Sequence, residues 1–171
     1  MGEAFNKITI YEFFNILFPG VLLGAYSMEL FGIEFYSNNN NMVFQIIIVL
    51  CLAYFLGLVV SRVGSLLVEP IAKKTGLIRW SERYYRAEEK DSKLPTLLKD
   101  FNMYRSIISL AFLIFAITVF RCLFYESMQW QELIFRLMTS IAVLIIFLLS
   151  YRKQSILMER RINIKGRKNI K

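Results

Sequence analysis

Four apolar stretches of near membrane-spanning length, separated by connections whose basic residues fall almost entirely on one side, confine this chain to a polytopic helical membrane protein. The stretches run about 8–30, 42–60, 106–124 and 133–151, each near the ~20 residues a helix needs to cross a ~30 Å hydrocarbon core. Only helices can pair all of their own backbone groups there, so the expected fold is all-α with four transmembrane helices. Of the 21 lysines and arginines, ten lie between Arg62 and Arg105 and eight between Arg152 and Lys171. The connections at 31–41 and 125–132 carry none, although Arg121 and Arg136 stand just inside the flanking spans. The positive-inside rule then places both termini, a short helical segment at 61–105 and a basic tail at 152–171 in the cytoplasm.

At 171 residues and 56% hydrophobic content, the bundle leaves no room for a separate catalytic domain. The formal charge of +8 sits beside the spans, where anionic headgroups attract it, so lipid rather than nucleic acid is the expected partner. Glu3, a lone early Lys7 and the length of the first apolar run argue for a retained span instead of a cleaved signal. The chain has no histidine, which removes the commonest general base, the commonest zinc ligand and every Ser/His or Cys/His arrangement. Cys51 and Cys122 read as apolar fillers of the second and third spans. Lys73-Lys74-Thr75-Gly76 lacks the glycine pattern and strand context of a phosphate loop, and Glu88, Glu89 and Asp91 read as a solvated helix face. No enzymatic activity, metal or cofactor is expected.

Inside the membrane, Ala53, Gly57, Ser61 and Ser65 recur every four residues, and Gly20 and Gly24 repeat that spacing just after Pro19. Small residues let helix backbones approach closely where lipid removes the hydrophobic drive for association. These stripes serve either packing within one bundle or contact between subunits around a lumen. Pro19 removes a backbone bond and is expected to kink the first span. Ionisable groups lie near span ends: Glu12 and Asn15 at the cytoplasmic entrance, Glu29 at the outer end. Arg121 and Arg136 share that outer depth and have Glu126, Glu132 and Glu29 within reach as partners. They either snorkel to the headgroups or ring a pore in an oligomer.

On the cytoplasmic side, a helix continues from Arg62 to Thr75, with an interruption expected at Pro70 and a stop at Gly76. Arg79, Arg83 and Arg86 then follow helical spacing beside Trp80, Tyr84 and Tyr85, which suits an interfacial helix or a stacked nucleotide. Residues 96–105 read as a helix leading into the third span. The tail interleaves its bases with Ile156, Leu157, Ile162 and Ile164, as in a surface-lying amphipathic helix or a partner-docking peptide. The four asparagines at 38–41 read as a polar turn.

Tyr11-Glu12-Phe13-Phe14-Asn15-Ile16-Leu17-Phe18-Pro19-Gly20 and Asn102-Met103-Tyr104-Arg105 resemble segments of small four-span membrane proteins of bacterial anti-phage operons, including the Kiwa-type membrane subunit and membrane-disrupting CBASS effectors. The resemblance covers less than a tenth of the chain. It implies a homo-oligomer of the bacterial inner membrane that senses infection or permeabilises the bilayer, often with a cytoplasmic partner protein. The chain departs from many such effectors in having no recognisable soluble nucleotide-sensing domain, which leaves a nucleotide trigger to the strip 79–86. The resulting expectation is a membrane-permeabilising oligomer of a defence or stress system, and its alternative a non-conducting sensor or anchor that recruits a cytoplasmic effector.

Overall fold

The computed structural model describes residues 12–33, 42–78, 91, 93–124 and 129–167, and all of its regular structure is helical. Four long helices follow one another: α1 (Phe13–Phe31), α2 (Val43–Lys74), α3 (Leu94–Phe124) and α4 (Trp130–Arg167). Each is long and apolar enough to cross a membrane. The chain is therefore an all-α, four-helix, multi-pass membrane protein. The helices pack in sequence order, α1 on α2, α1 and α2 on α3, and α3 on α4.

Pro19 and Pro70, the two prolines beyond the first turn of a helix, are accommodated in the same way. A proline lacks an N–H and its ring collides with the carbonyl four residues back, so the helix must open around it. Ahead of Pro19 the Phe18 N–H reaches back five residues to Phe13 O, and ahead of Pro70 the Glu69 N–H reaches back to Gly64 O. Each wide turn absorbs the proline without ending the helix. The interruption expected at Pro70 is thus a local widening, and α2 runs on to Lys74. Gly76, at φ +71°, supplies the left-handed residue that ends it, as Gly32 at φ +61° does for α1.

Two other helices also outrun their apolar stretches. At about 1.5 Å per residue, the 31 residues of α3 and the 38 of α4 span roughly 46 and 57 Å against a ~30 Å core. The surplus of α2, α3 and α4 lies at one end, which carries most of the described bases and is called the basic end below. The tail expected to lie on the membrane surface instead continues α4 without a break to Arg167. Its Ile162 and Met158 turn inward onto α3, which is the reason it stays in line with the span.

The packing differs between the two levels. At the basic end Ala72, Ile78, Leu94, Phe101, Tyr151 and Met158 make a water-excluding core, with Phe101 and Tyr151 stacked at 4.1 Å between ring centroids. Across the apolar level the buried hydrophobic cluster is smaller, Leu23, Val60 and Leu110 with a few neighbours. There the helices meet through small residues, and large side chains such as Phe55, Ile146 and Leu149 point outward. This division follows the solvent, since apolar burial drives association only where water is the alternative.

Candidate functional site

The small-residue face of α2 is occupied by α1. A Cβ added to Gly20 would lie 1.7 Å from Ala53 O, and one added to Gly57 would lie 1.9 Å from Ile16 O, so the two backbones touch. Gly24 is looser, with the flexible tip of Leu56 at 3.2 Å from the corresponding point. Ahead of its proline turn, the buried residues of α2 are Ala53, Gly57, Val60 and Gly64, a four-three-four spacing. With about 3.6 residues per turn, a strict four-residue repeat drifts by roughly 40° per step, whereas four-three-four stays on one face. The expected stripe therefore holds at Ala53 and Gly57 and rotates off the contact at Ser61 and Ser65. Those two are half-buried, and the Ser65 hydroxyl donates to the Ser61 carbonyl. Gly64 takes their place, facing Ser109 of α3.

Several polar groups along the spans are held by partners in the same chain. The Ser106 hydroxyl donates to Asn15 Oδ1 at 2.6 Å, and both side chains are buried. Thr118 donates to the Ile114 carbonyl, which leaves its oxygen to accept from the Tyr26 hydroxyl. Arg136 Nη2 lies 2.6 Å from Glu29 Oε1 and 2.7 Å from Glu132 Oε1, with its guanidinium over the Tyr26 ring at 5.3 Å. Arg121 lies over Phe31, 5.9 Å from the ring centroid, and its buried Nε has no hydrogen-bond acceptor among the described residues. Near the basic end, Arg105 pairs with Glu69 at 2.6 Å and ties α3 to α2.

A lateral groove of about 620 Å³ runs between α1, α3 and α4. Leu22 and Tyr26 form one wall, Ala111 and Ile114 the floor, Thr139 and Val143 the other wall. Its hydroxyls are already engaged: Thr139 donates to Phe135 O and Ser140 to Leu137 O. What the groove offers along its length is hydrocarbon, closed at one end by Glu29 and Arg136.

The second open surface is on the basic end of α4. Leu149, Arg152, Lys153, Ile156, Leu157, Arg160 and Ile164 are all exposed, and their spacing places them on one helix face. Arg161 on the flank is tethered to Asp91 at 3.3 Å, and Gln154 donates to the Leu97 carbonyl, which fixes the rotation of α4 on α3.

Among the sequence-nominated residues, Gly20, Gly24, Ala53 and Gly57 come together at the α1–α2 crossing, and Asn15 and Pro19 are buried beside it. Glu12 is exposed at the start of α1. Arg136 meets Glu29 and Glu132, two of its expected partners, while Arg121 sits apart over Phe31. The strip Arg79, Trp80, Arg83, Tyr84, Tyr85 and Arg86 lies outside the described residues, as do Glu126, the asparagines 38–41 and the end of the tail. Sequence reasoning passed over Tyr26, Ser106 and Thr118, for which the available signal was a hydroxyl inside an apolar span. No protein-family model, curated protein or solved structure matches this chain.

Proposed function

We propose that the chain is a non-conducting anchor of a bacterial inner membrane, with its basic end in the cytoplasm, that holds an acidic cytoplasmic protein at the bilayer. The observation that carries this reading is the exposed face of α4 from Leu149 to Ile164. Arg152 and Lys153 follow directly on the span, at headgroup level, whereas Ile164 is some 18 Å further along the helix axis. That distance takes the far part of the face beyond the headgroups and into the aqueous phase. A helix presenting Ile156, Leu157 and Ile164 flanked by bases matches the pattern of a helix read by an apolar groove with acidic rims. A second copy of the same face would set like charges against each other, which disfavours self-pairing there. Orientation follows from the bases gathered at this end. Membership of an anti-phage system is proposed from the resemblance of the first and third spans.

The non-conducting character is supported by the polar groups along the spans. Asn15, Tyr26, Thr118 and Arg136 each bond within the chain, and the outward faces of α2 and α4 are apolar. A pore assembled from such subunits would lack a polar wall. One observation favours the permeabilising oligomer as a second reading: the buried Arg121 Nε with no acceptor among the described residues, which a neighbouring subunit could supply.

Photo-crosslinking in cells tests the anchor. A photoreactive residue at Ile156 or Ile164 is expected to give a protein adduct of defined mass, and one at Ile145, on the lipid-facing side of the span, none. Combining it with Arg152→Glu, Lys153→Glu and Arg160→Glu should lower the yield about tenfold or more, since each reversed charge turns attraction into repulsion. Adducts only with lipid, or only with another copy of the chain, would overturn the assignment.

A further inference from the structure

We propose that the groove between α1, α3 and α4 binds one phospholipid with a zwitterionic, amine-bearing headgroup, its acyl chain along the groove and its headgroup on the Glu29–Arg136–Glu132 cluster. Three features of the groove select this ligand.

The first is the distribution of polarity. From Phe147 up to Thr139 the groove offers aliphatic and aromatic surface, and its three hydroxyls are engaged, those of Thr139 and Ser140 with their own helix and that of Tyr26 with Thr118. Ionic groups appear only at the end opposite the basic one. A ligand that fits is apolar along its length and charged at one tip.

The second is length. Eleven residues separate Arg136 from Phe147 on α4, and eleven separate Phe18 from Glu29 on the facing α1. At about 1.5 Å per residue this is roughly 16 Å, close to half of the ~30 Å hydrocarbon core. The groove therefore matches the chain region of one leaflet, and its 620 Å³ falls within the common range of ligand pockets.

The third is charge. Arg136 stands between two carboxylates, and their side chains are far more exposed than its own: 67% for Glu29 and 49% for Glu132 against 16%. Among the described residues the cluster thus holds one carboxylate in excess. Arg121 does not offset it, because it sits over Phe31, two residues on from Glu29 and so on another face of α1. A phosphate alone would meet this excess unfavourably. A headgroup with phosphate and ammonium satisfies both signs, the phosphate taking a charge-assisted bond from Arg136 and the ammonium donating to Glu29 or Glu132. The bound lipid would also fill the space between α1 and α4, which the ion pair and the Tyr26 contact bridge at one end.

Native mass spectrometry of the purified full chain, titrated with phosphatidylethanolamine or phosphatidylglycerol, tests this directly. The expected result is one phosphatidylethanolamine retained per chain, with phosphatidylglycerol retained about tenfold less. Leu22→Trp and Val143→Trp fill the groove from opposite walls, and each should lower retention about tenfold without lowering the melting temperature. Glu29→Gln with Glu132→Gln removes both carboxylates, leaves the groove open and should abolish the preference between the two lipids. Equal retention by the wild type and both tryptophan variants would show annular lipid and overturn the site. So would a wild-type dimer that the tryptophan variants convert to monomer, which would make a second copy the occupant. Equal wild-type retention of both lipids would overturn the headgroup assignment.

Discussion

Gly20→Ala and Gly57→Ala are each expected to leave little folded protein, although each adds a single methyl group. The added carbon would lie 1.7 Å from Ala53 O in the first case and 1.9 Å from Ile16 O in the second, and both obstacles are backbone atoms that no rotamer change can move. The α1–α2 pair must separate along its whole crossing to admit it. Overpacking a well-filled core costs about 1–3 kcal/mol and occasionally more, and rigid backbone on both sides places these sites at the upper end. Gly24→Ala is the internal control: its obstacle is the tip of Leu56 at 3.2 Å, which can turn aside. Size-exclusion profiles and melting temperatures of the solubilised proteins should rank Gly24→Ala near wild type and the other two far below it. Equal tolerance of all three would show that α1 and α2 do not meet face to face.

Phe101→Ala is expected to destabilise the basic end by about 3–5 kcal/mol, the range for removing a buried aromatic ring. Phe101 is 1% exposed and stacks on Tyr151, which is fully buried, so the deletion leaves a cavity at the centre of the core joining α3 to α4, next to the half-buried Tyr104–Phe147 pair. The loss should be regional. Insertion of the four spans rests on their apolar length, whereas the rotation that presents Arg152, Ile156 and Arg160 rests on this core and on the Arg161–Asp91 and Gln154–Leu97 contacts. Hydrogen exchange should accelerate in 94–105 and 151–162 and stay slow in 107–120. Uniform acceleration through the spans would mean that the basic end and the bundle unfold as one unit.

The spans were legible because their signal is compositional: an apolar run of bilayer length has few other fates in water or lipid. The Arg136 pairs were legible as candidates because Glu29 and Glu132 share its depth. Helix rotation was harder to read. The four-residue stripe identified Ala53 and Gly57 but carried Ser61 and Ser65 along in place of Val60 and Gly64, since spacing alone does not reveal which phase a partner helix selects. The course of the tail is hard to read from sequence for a related reason. Its bases and isoleucines fit a surface-lying helix equally well, and only the pairing of Met158 and Ile162 with α3 keeps it in line with α4. Long-range bonds such as Asn15 to Ser106 and Tyr26 to Thr118 join residues about 90 positions apart, and no local pattern encodes them.

The measurement that bears most directly on the anchor reading is the response of a potential-sensitive dye in liposomes carrying the purified full chain, with the mass of the solubilised particle determined in parallel. On the anchor reading, the polar groups that bond within the chain and the apolar outward faces of α2 and α4 would leave ions no polar path through the spans. The account predicts dye traces indistinguishable from those of protein-free liposomes at every protein density. A response that grows with protein content, from a particle of defined oligomeric mass, would contradict it and would shift attention to Arg121 as the group that a neighbouring subunit completes.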